Sequence, residues 1–338
     1  MGEIYLPNAR QFDQMNELLA KIANAGMRID YTDSPGGKYL LAGDKQAGFL
    51  GFVQANEFGK IEDNPEGSQD FDGKNLALAI GLSDGTPINI DTAWIKYIYK
   101  SKICYTPIKP IRHTISWDSI YNAGAVYDTD DEGTLPPTGR LGTDLFIDAT
   151  DNSINTTNQH FLGDKSSSMD YADTVAKVGD TVVLKGWVNE ANNGEFTVES
   201  ITDTKIVLSG GTLVTEVGGK KSRVYEKTKA IKQNTIITLN GMKFRVRLMT
   251  GAGTDPVDSY DNSDRGAVGP NNEWNSIILP LHEHAKLGNW NYPAFAKDKD
   301  GNAIPDWGVH LTEKDLITHY TFGEGNYRWC QDVSDGTT

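Results

Sequence analysis

The chain of 338 residues has few cysteines and no long hydrophobic run. Its two cysteines, Cys104 and Cys330, are too few for a framework of several disulfides, so they either form one bridge or remain free core thiols. No window approaches the ~18 consecutive apolar residues of a membrane-spanning helix, which predicts no membrane insertion. The opening residues MGEIYLPNARQFDQ lack an apolar run, so they predict no secretory signal peptide.

The sequence also lacks an excess of positive charge. It contains 32 Lys and Arg residues against 46 Asp and Glu residues, which gives a formal net charge of −14. Proteins that bind nucleic acid need a basic surface to contact phosphates, so we expect no nucleic-acid partner. The composition, with 35 glycines and 13 prolines, is that of a turn-rich globular protein with many strands.

Motifs of catalysis and metal binding are missing as well. The sequence has no P-loop, dinucleotide fingerprint or nucleophile elbow, so we predict no enzymatic activity, no catalytic residue and no cofactor. The run at residues 298–302 places its glycine too early for an EF-hand, and His282 and His284 lack a third zinc ligand nearby. Four aspartates in the loop at residues 255–264 are expected to be solvated, with calcium binding as the alternative. We therefore predict no metal site.

The clearest helix signal spans residues 8–25. Asn8 is suited to cap its N-terminus, and Gly26 follows its end. Apolar side chains recur at helical spacing in one narrow stripe, formed by Phe12, Met15, Leu18, Leu19 and Ile22. We predict that this stripe is an assembly surface, which pairs with copies of the chain or anchors to a neighbouring protein. Packing onto its own domain is the alternative.

Short strands and tight turns dominate the rest of the chain, so the predicted fold class is mainly β with short helices (α+β). Residues 93–100 alternate aromatic and β-branched side chains, and they predict a hairpin with residues 103–106 through a Ser101-Lys102 connection. The pairs Asn193-Gly194 and Asn240-Gly241 predict further hairpin turns. Other strands are predicted at residues 39–42, 48–55, 181–185, 195–201 and 205–208.

Short helices are expected between these strands. Ser116 is suited to cap a helix that carries Trp117, Ile120 and Tyr121, with Gly124 as its stop. Further short helices are predicted at residues 75–82, 273–281 and 312–318.

The segment at residues 129–233 differs in composition from its flanks. It opens with an acidic linker rich in proline and glycine, and it continues as strands joined by tight turns. We interpret it as an inserted β-module within a discontinuous domain formed by residues 61–128 and 234–338. Residues 1–60 are assigned to an N-terminal helix with an anchoring and assembly region. An insertion with two ends is tolerated where the termini of the host domain lie close together.

The chain contains KPIRHTISW at residues 109–117, and a run of this kind resembles virion proteins of tailed bacteriophages. It also contains LNGMKFRVRLMTGAG at residues 239–253, followed by EWNSIILPL at residues 273–281, and these two runs are similar to a phage branch of the C-type-lectin-like superfamily. The closing GEGNYRWCQD at residues 323–332 is similar to the tryptophan-cysteine run that this superfamily shares with formylglycine-generating enzymes. The segment at residues 175–219 resembles small β-barrel or sandwich modules of tail and capsid proteins.

The resemblance implies a C-type-lectin-like domain in a virion structural protein. The expected role is in the tail, baseplate or fibre, or as an adhesin that binds host-surface glycan. A capsid-decoration, head-fibre or collar protein without a receptor role is the alternative, and an enzyme acting on surface glycans is a further one. Expected partners are other virion proteins and copies of the chain. A trimer is favoured because a strand-rich body leaves sheet edges to cover.

Aromatic residues near the end of the chain form a candidate glycan-binding surface. Trp290, Tyr292 and Trp307 lie among Asn, Gly and Pro residues, and their rings could stack on the apolar faces of sugars. The alternative is that they fill the core of their own domain. Trp274 and Trp329 are assigned to the core.

Overall fold

The computed structural model describes residues 28–127, 136, 138–163, 173–219, 221–250, 272–278 and 281. Within these residues the protein is mainly β-sheet with a few short helices, as the sequence predicts. None of the helices in these ranges is long and apolar enough to cross a membrane. The predicted helices at residues 8–25 and 312–318 lie outside the described residues.

The strands are short and joined by tight turns. In chain order they are β1 (Ala42–Gly43), β2 (Ala47–Val53), β3 (Lys60–Ile61), β4 (Gln69–Asp70), β5 (Thr86–Pro87), β6 (Trp94–Tyr99), β7 (Lys102–Pro107), β8 (Arg112–His113), β9 (Arg140–Leu141), β10 (Leu145–Asp148), β11 (Ser153–Thr156), β12 (Thr181–Lys185), β13 (Gly194–Ile201), β14 (Lys205–Ser209), β15 (Glu216–Val217), β16 (Arg223–Glu226), β17 (Ile236–Leu239) and β18 (Met242–Arg245).

The first sheet has the strand order β1-β2-β6-β7, and all its strands are antiparallel. Strand β6 lies inside this sheet and every one of its residues is buried. The turn between β6 and β7 uses Lys100 and Ser101, whose φ angles are 48° and 63°, so the predicted connection is displaced by one residue. The domain boundary predicted at residue 60 would divide this sheet, because β1 and β2 precede residue 60 and β6 and β7 follow it.

A second sheet joins parts of the chain that are far apart in sequence. Its order is β18-β17-β3-β4, and Leu239 of β17 lies opposite Ile61 of β3. Asn240 and Gly241 form the turn between β17 and β18 with φ angles of 47° and 77°, which confirms the hairpin predicted there. Strands β5 and β8 form a separate two-stranded pair.

The third large sheet contains only residues between Arg140 and Glu226. Its eight antiparallel strands have the order β15-β10-β11-β14-β13-β12-β16-β9. The two ends of the sheet approach each other, because β9 at one end connects within three residues to β10 beside the other end, and Leu145 N donates to Gly142 O across this connection over 3.3 Å. We call residues 138–230 the module, and we call residues 28–127, 231–250 and 272–281 the cleft region.

One predicted turn in the module is wrong. Asn193 and Gly194 do not form a two-residue hairpin turn, since β12 and β13 are joined by a longer loop that contains the short helix Glu190–Asn192. Gly194 already belongs to β13. The Asn193 side chain instead bridges the loop, accepting from Trp187 N over 3.0 Å and donating to Trp187 O over 2.9 Å. Side-chain bonding across the loop therefore replaces the expected turn.

Three of the predicted short helices fall in the described residues, and each is present with shifted ends. Helix α1 spans Gly73–Ala79, and helix α2 spans Trp117–Asn122. As predicted, Ser116 caps α2 by accepting from Ser119 N over 3.1 Å, and Gly124 follows its end with a φ of 68°. Residues Trp274–Ile278 form a π-helix, so the helix predicted at residues 273–281 has a wider turn than expected.

The chain enters and leaves the module at neighbouring positions. Gln233 is buried, and its Oε1 accepts from the backbone N–H groups of Val126 and Tyr127 over 2.9 and 3.4 Å. Its Nε2 donates to Tyr121 O over 2.9 Å. Gln233, at the end of the predicted insertion, is thus bonded to the segment that precedes the insertion.

Candidate binding cleft

A cleft of about 1230 Å³ lies in the cleft region between strands β7 and β18. Helix α1 and the segment at residues 110–115 contribute to its lining. Pockets for small molecules usually measure about 300–1,000 Å³, so this cleft is large enough for a ligand such as a short oligosaccharide.

Aromatic rings form one side of the cleft. Phe58 and Phe71 stack with ring centroids 4.4 Å apart, and the Trp94 ring meets them edge-on at 5.6 and 5.3 Å. Tyr105 on β7 contacts Phe58 at 5.1 Å and reaches Phe244 on β18 at 5.9 Å. This continuous set of rings holds the facing strands of two sheets together, because aromatic contacts add to the energy of area burial.

Trp94 has an unsatisfied hydrogen-bond donor in this aromatic cluster. Its side chain is only 7% exposed, and its Nε1 atom has no hydrogen-bond partner. The indole N–H can only donate. A buried donor without an acceptor costs about 1–3 kcal/mol of stability, and the Nε1 atom itself has almost no accessible surface.

The charged residues among the described lining are basic. They are Lys102, Arg112, Lys243, Arg245 and Arg247, and His113 lines the cleft beside them. No Asp or Glu is among the described lining residues, although the chain has a net charge of −14. The described lining thus carries basic side chains in a chain that is acidic as a whole, and one of them, Arg247, is paired with the carboxylate of Glu273.

A buried carboxylate orients one of these basic residues. Glu273 accepts from both terminal nitrogens of Arg247 over 2.6 Å, from the Tyr97 hydroxyl over 2.9 Å and from Thr250 N over 2.8 Å. Burial would lower the pKa of Arg247, but the Glu273 carboxylate raises it above its usual range. Burial and then Glu273 raise the pKa of Tyr97. The network fixes the π-helix against the first sheet.

A second buried ion pair lies on the other side of β6. Lys96 donates to Asp30 over 2.6 Å and to Ser34 over 3.0 Å, and both charged side chains have no exposed area. Burial lowers the pKa of Lys96, and Asp30 partly offsets that effect. Burial would raise the pKa of Asp30, but hydrogen bonds from Lys96, Ser34 and Thr32 lower it below its usual range. The pair holds the segment that precedes β1 onto the sheet.

Most side chains predicted to bind or assemble lie outside the described residues. These are Phe12, Met15, Leu18, Leu19 and Ile22 of the assembly stripe, Trp290, Tyr292 and Trp307 of the aromatic loop, and Trp329, Cys330, His282, His284 and the aspartates at residues 255–264. Trp274, which was assigned to the core, is half-buried; it packs on an apolar cluster and also lines the cleft. Cys104 carries a free thiol.

Sequence reasoning did not single out the cleft. Trp94 and Tyr105 were interpreted only as strand residues, and the alternating pattern gave no sign that their rings line a cavity.

In the described part of the chain no group of His, Cys, Asp or Glu side chains could hold a metal ion. Comparisons with protein-family models, with curated proteins and with solved structures found no match, so the functional inference depends on geometry and on the sequence motifs.

Proposed function

We propose that the chain is a non-enzymatic structural protein of a tailed-phage virion, located in the tail, baseplate or fibre, and that it binds host-surface glycan. The observation that carries the binding part is the large cleft, with aromatic rings in its wall and basic side chains as the charged members of its described lining. The virion part depends on the phage-like sequence motifs. Two of these motifs, at residues 109–117 and 239–253, contribute side chains to the cleft lining.

The ionisable groups beside the cleft favour binding over catalysis. Both carboxylate oxygens of Glu273 are occupied by donors from Arg247, Tyr97 and Thr250. A glycosidase needs one carboxyl group that can donate a proton and a second that can attack or activate water. A carboxylate held by an arginine on both oxygens is poorly suited to either task. A glycan-release assay with the purified chain should therefore show no product.

The proposed architecture is a C-type-lectin-like domain interrupted by a small β-barrel or sandwich module. Pairing of β17 with β3 across the insertion supports a discontinuous host domain. The approach of the two ends of the eight-stranded sheet supports a closed module. The bonds of Gln233 to Val126 and Tyr121 favour a module that ends before Ile231 rather than at residue 233.

We also propose that the protein assembles as a homo-oligomer, with a trimer favoured. Two valines of the module, Val188 and Val217, are 90% and 74% exposed. Large apolar side chains exposed on the surface favour a covered surface in the assembled particle. Sedimentation equilibrium should give a multiple of the 37.1 kDa chain mass, and a monomer at assembly concentrations would contradict this part of the proposal.

Immunogold electron microscopy of intact particles tests the virion assignment. Antibodies raised against the purified chain should label the tail, baseplate or fibres of the phage that encodes it. Label at the head or collar would favour the alternative, a decoration protein without a receptor role. Particles that carry no label, and contain no such chain by mass spectrometry, would overturn the proposal.

A further inference from the structure

We propose that an extended segment from the last part of the chain, residues 318–322, pairs with the outer edge of strand β7 and completes the wall of the cleft. The inference goes beyond the proposed function, because it concerns a contact within the chain and needs no ligand. It starts from the first sheet, in which β7 is the terminal strand and, among the described strands, pairs only with β6. The outer edge of a terminal strand is a template for a further strand.

Two residues of β7, Ile103 and Tyr105, present backbone groups along this edge. Ile108 N donates to Ala93 O over 2.9 Å, which fixes the alternation of the ladder between β6 and β7. In an antiparallel pair, residues that bond to the partner strand alternate with residues whose N–H and C=O groups point away from it. Every second residue before Ile108 therefore bonds to β6, whereas Ile103 and Tyr105 direct their N–H and C=O groups outwards.

The cleft lies along the edge of β7 rather than against one of its faces. Side chains of a strand point alternately to its two faces, so a cavity against one face is lined by every second residue. Every residue of β7, Lys102–Pro107, lines the cleft. The same is true of β18, Met242–Arg245, which is the terminal strand of the second sheet. Two strand edges from different sheets thus border the cavity, and the space beside β7 can receive a further strand.

The chain leaves the described residues beside β7. Leu281 is fully buried in an apolar cluster against which Cys104 of β7 packs. By contrast, Ile29, near the other end of the described chain, packs against the cluster that contains Ile98, on the other face of the sheet. The residues that follow Leu281, 282–338, therefore start at the side of β7 and are the nearest source of a strand.

Within this last part of the chain, the run THYTF at residues 318–322 is suited to the edge. It is rich in β-branched and aromatic residues, which are favoured in strands, and it contains no proline. Gly323 follows it and can end the strand. Five residues of strand span about 17 Å, which is comparable with the length of β7.

The pairing would also bring the predicted glycan-binding loop to the cleft. Trp290, Tyr292 and Trp307 lie between Leu281 and residues 318–322, so both ends of the loop that carries them would be beside β7. A sugar could then contact these rings and the aromatic wall of the cleft together. This step alone rests on the glycan-binding part of the proposed function.

Amide hydrogen exchange of the full-length chain, followed residue by residue by NMR, tests the pairing. We expect the outward amides of Ile103 and Tyr105 to exchange at least about 100-fold more slowly than free peptide amides, because a paired strand protects them. The inward amides of Cys104 and Thr106 are the internal control, since β6 protects them in either case. Free exchange at Ile103 and Tyr105 beside protected Cys104 and Thr106 would overturn the proposal. No glycan is present, so this failure is separate from a failure of glycan binding.

Two matched proline variants identify the segment that pairs. Tyr320→Pro removes a backbone donor from the run and disfavours a strand there, so exchange at Ile103 and Tyr105 should become at least about 10-fold faster. Ser334→Pro is the control, because it places the same residue outside the run. It should leave exchange at Ile103 and Tyr105 unchanged. Equal exchange rates in the two variants would contradict the assignment to residues 318–322.

A photo-crosslinker covers the case in which Tyr320→Pro fails to fold. Benzoylphenylalanine in place of Phe244, whose ring lies 5.9 Å from that of Tyr105 across the cleft, should crosslink within one chain to residues 318–322. The same group in place of Ile236, which is exposed and does not line the cleft, is the control and should not reach this run. Crosslinks from position 244 to a second copy, or only to other parts of the chain, would overturn the proposal.

Discussion

In the described residues the module has one large apolar core and a small second cluster around Leu141 and Tyr225, whereas the cleft region divides its apolar side chains among four clusters that are each smaller than that core. Two buried ion pairs, Lys96–Asp30 and Arg247–Glu273, connect the separate segments of the cleft region. In the module the buried Arg140 donates to backbone carbonyls of Thr138 and His160. The comparison indicates that a single core stabilises the module, while long-range polar contacts position the parts that form the cleft.

The largest effect is expected from breaking the ion pair under β6. Lys96→Met should lower the free energy of unfolding by about 3–5 kcal/mol, because it leaves the Asp30 carboxylate buried without a cation. Urea denaturation of the full chain, followed at the transition of the cleft region, measures this change. The double variant Lys96→Met/Asp30→Leu should regain most of the loss, since neither charge is then buried.

A surface pair in the module is the control for this experiment. Lys205 and Asp151 also form an ion pair, but both side chains are more than a third exposed. Lys205→Met should therefore leave the urea midpoint almost unchanged, since solvent screens exposed pairs. If the two lysine variants lost equal stability, the contrast between buried and exposed pairing would be wrong.

The loss of stability at low pH is a further test of the buried Lys96–Asp30 pair. Because the pKa of Asp30 in the folded state lies below its ordinary value of 3.8, the stability that Asp30 supplies is complete above that value and is lost as pH falls below it. Unmutated protein should therefore lose this part of its stability as the pH falls below about 3.8 towards the lower folded-state pKa of Asp30. In Lys96→Met this part of the loss should disappear or reverse, because an unpaired buried carboxylate is more stable when protonated. Urea midpoints of both proteins at each pH measure the difference.

A smaller effect is expected at Gln233, where the chain returns from the module. Gln233→Ala should cost about 2–3 kcal/mol, since it leaves the buried N–H groups of Val126 and Tyr127 without their acceptor. Gln159→Ala is the matched change in the module, where that buried amide bonds both N and O of Leu141. In calorimetry each variant should lower only the transition of its own region. A shift of both transitions by either variant would contradict separate stabilisation.

Much of the fold could be predicted from local sequence because the relevant forces are local. Ser116 caps α2 and Asn240-Gly241 turns β17 into β18 as predicted, since capping and turn geometry depend on residues close in sequence. The predicted strand at residues 181–185 matches β12, whose side chains alternate between buried and more exposed positions. The hairpin turn predicted at Asn193-Gly194 is wrong because hydrogen bonds from the Asn193 side chain to Trp187 stabilise a longer loop.

The candidate site could not be predicted in the same way. Its aromatic wall combines Phe58, Phe71, Trp94 and Phe244, and no periodic pattern marks side chains so far apart in the chain as neighbours. The burial of Lys96 could not be predicted either, because a lysine in a strand is expected to face solvent until its partner Asp30 is known. Tertiary contacts, rather than propensity, decide both positions.

The smallest expected effect is one of reactivity rather than stability. Burial, followed by the nearby Glu273 carboxylate, raises the pKa of the Cys104 thiol to about 12. In a Cys330→Ser variant, which leaves one thiol to count, Cys104 should react slowly with a disulfide reagent at pH 8 and rapidly in denaturant. Fast reaction of the folded protein would show that the Cys104 thiol is more accessible to the reagent than the structure indicates.

Replacement of residues 129–230 by a short Gly/Ser linker tests the separate stabilisation of the two regions most directly. Hydrogen bonds already join the segments before and after the module: Val126 N donates to the Gln233 side chain, and Thr235 N donates to Gly124 O over 3.4 Å. A short linker should therefore span the gap between them. Calorimetry of the full chain should show two transitions, and the deletion should remove one and leave the other at its original temperature. Loss of cooperative unfolding in the shortened chain would contradict the account.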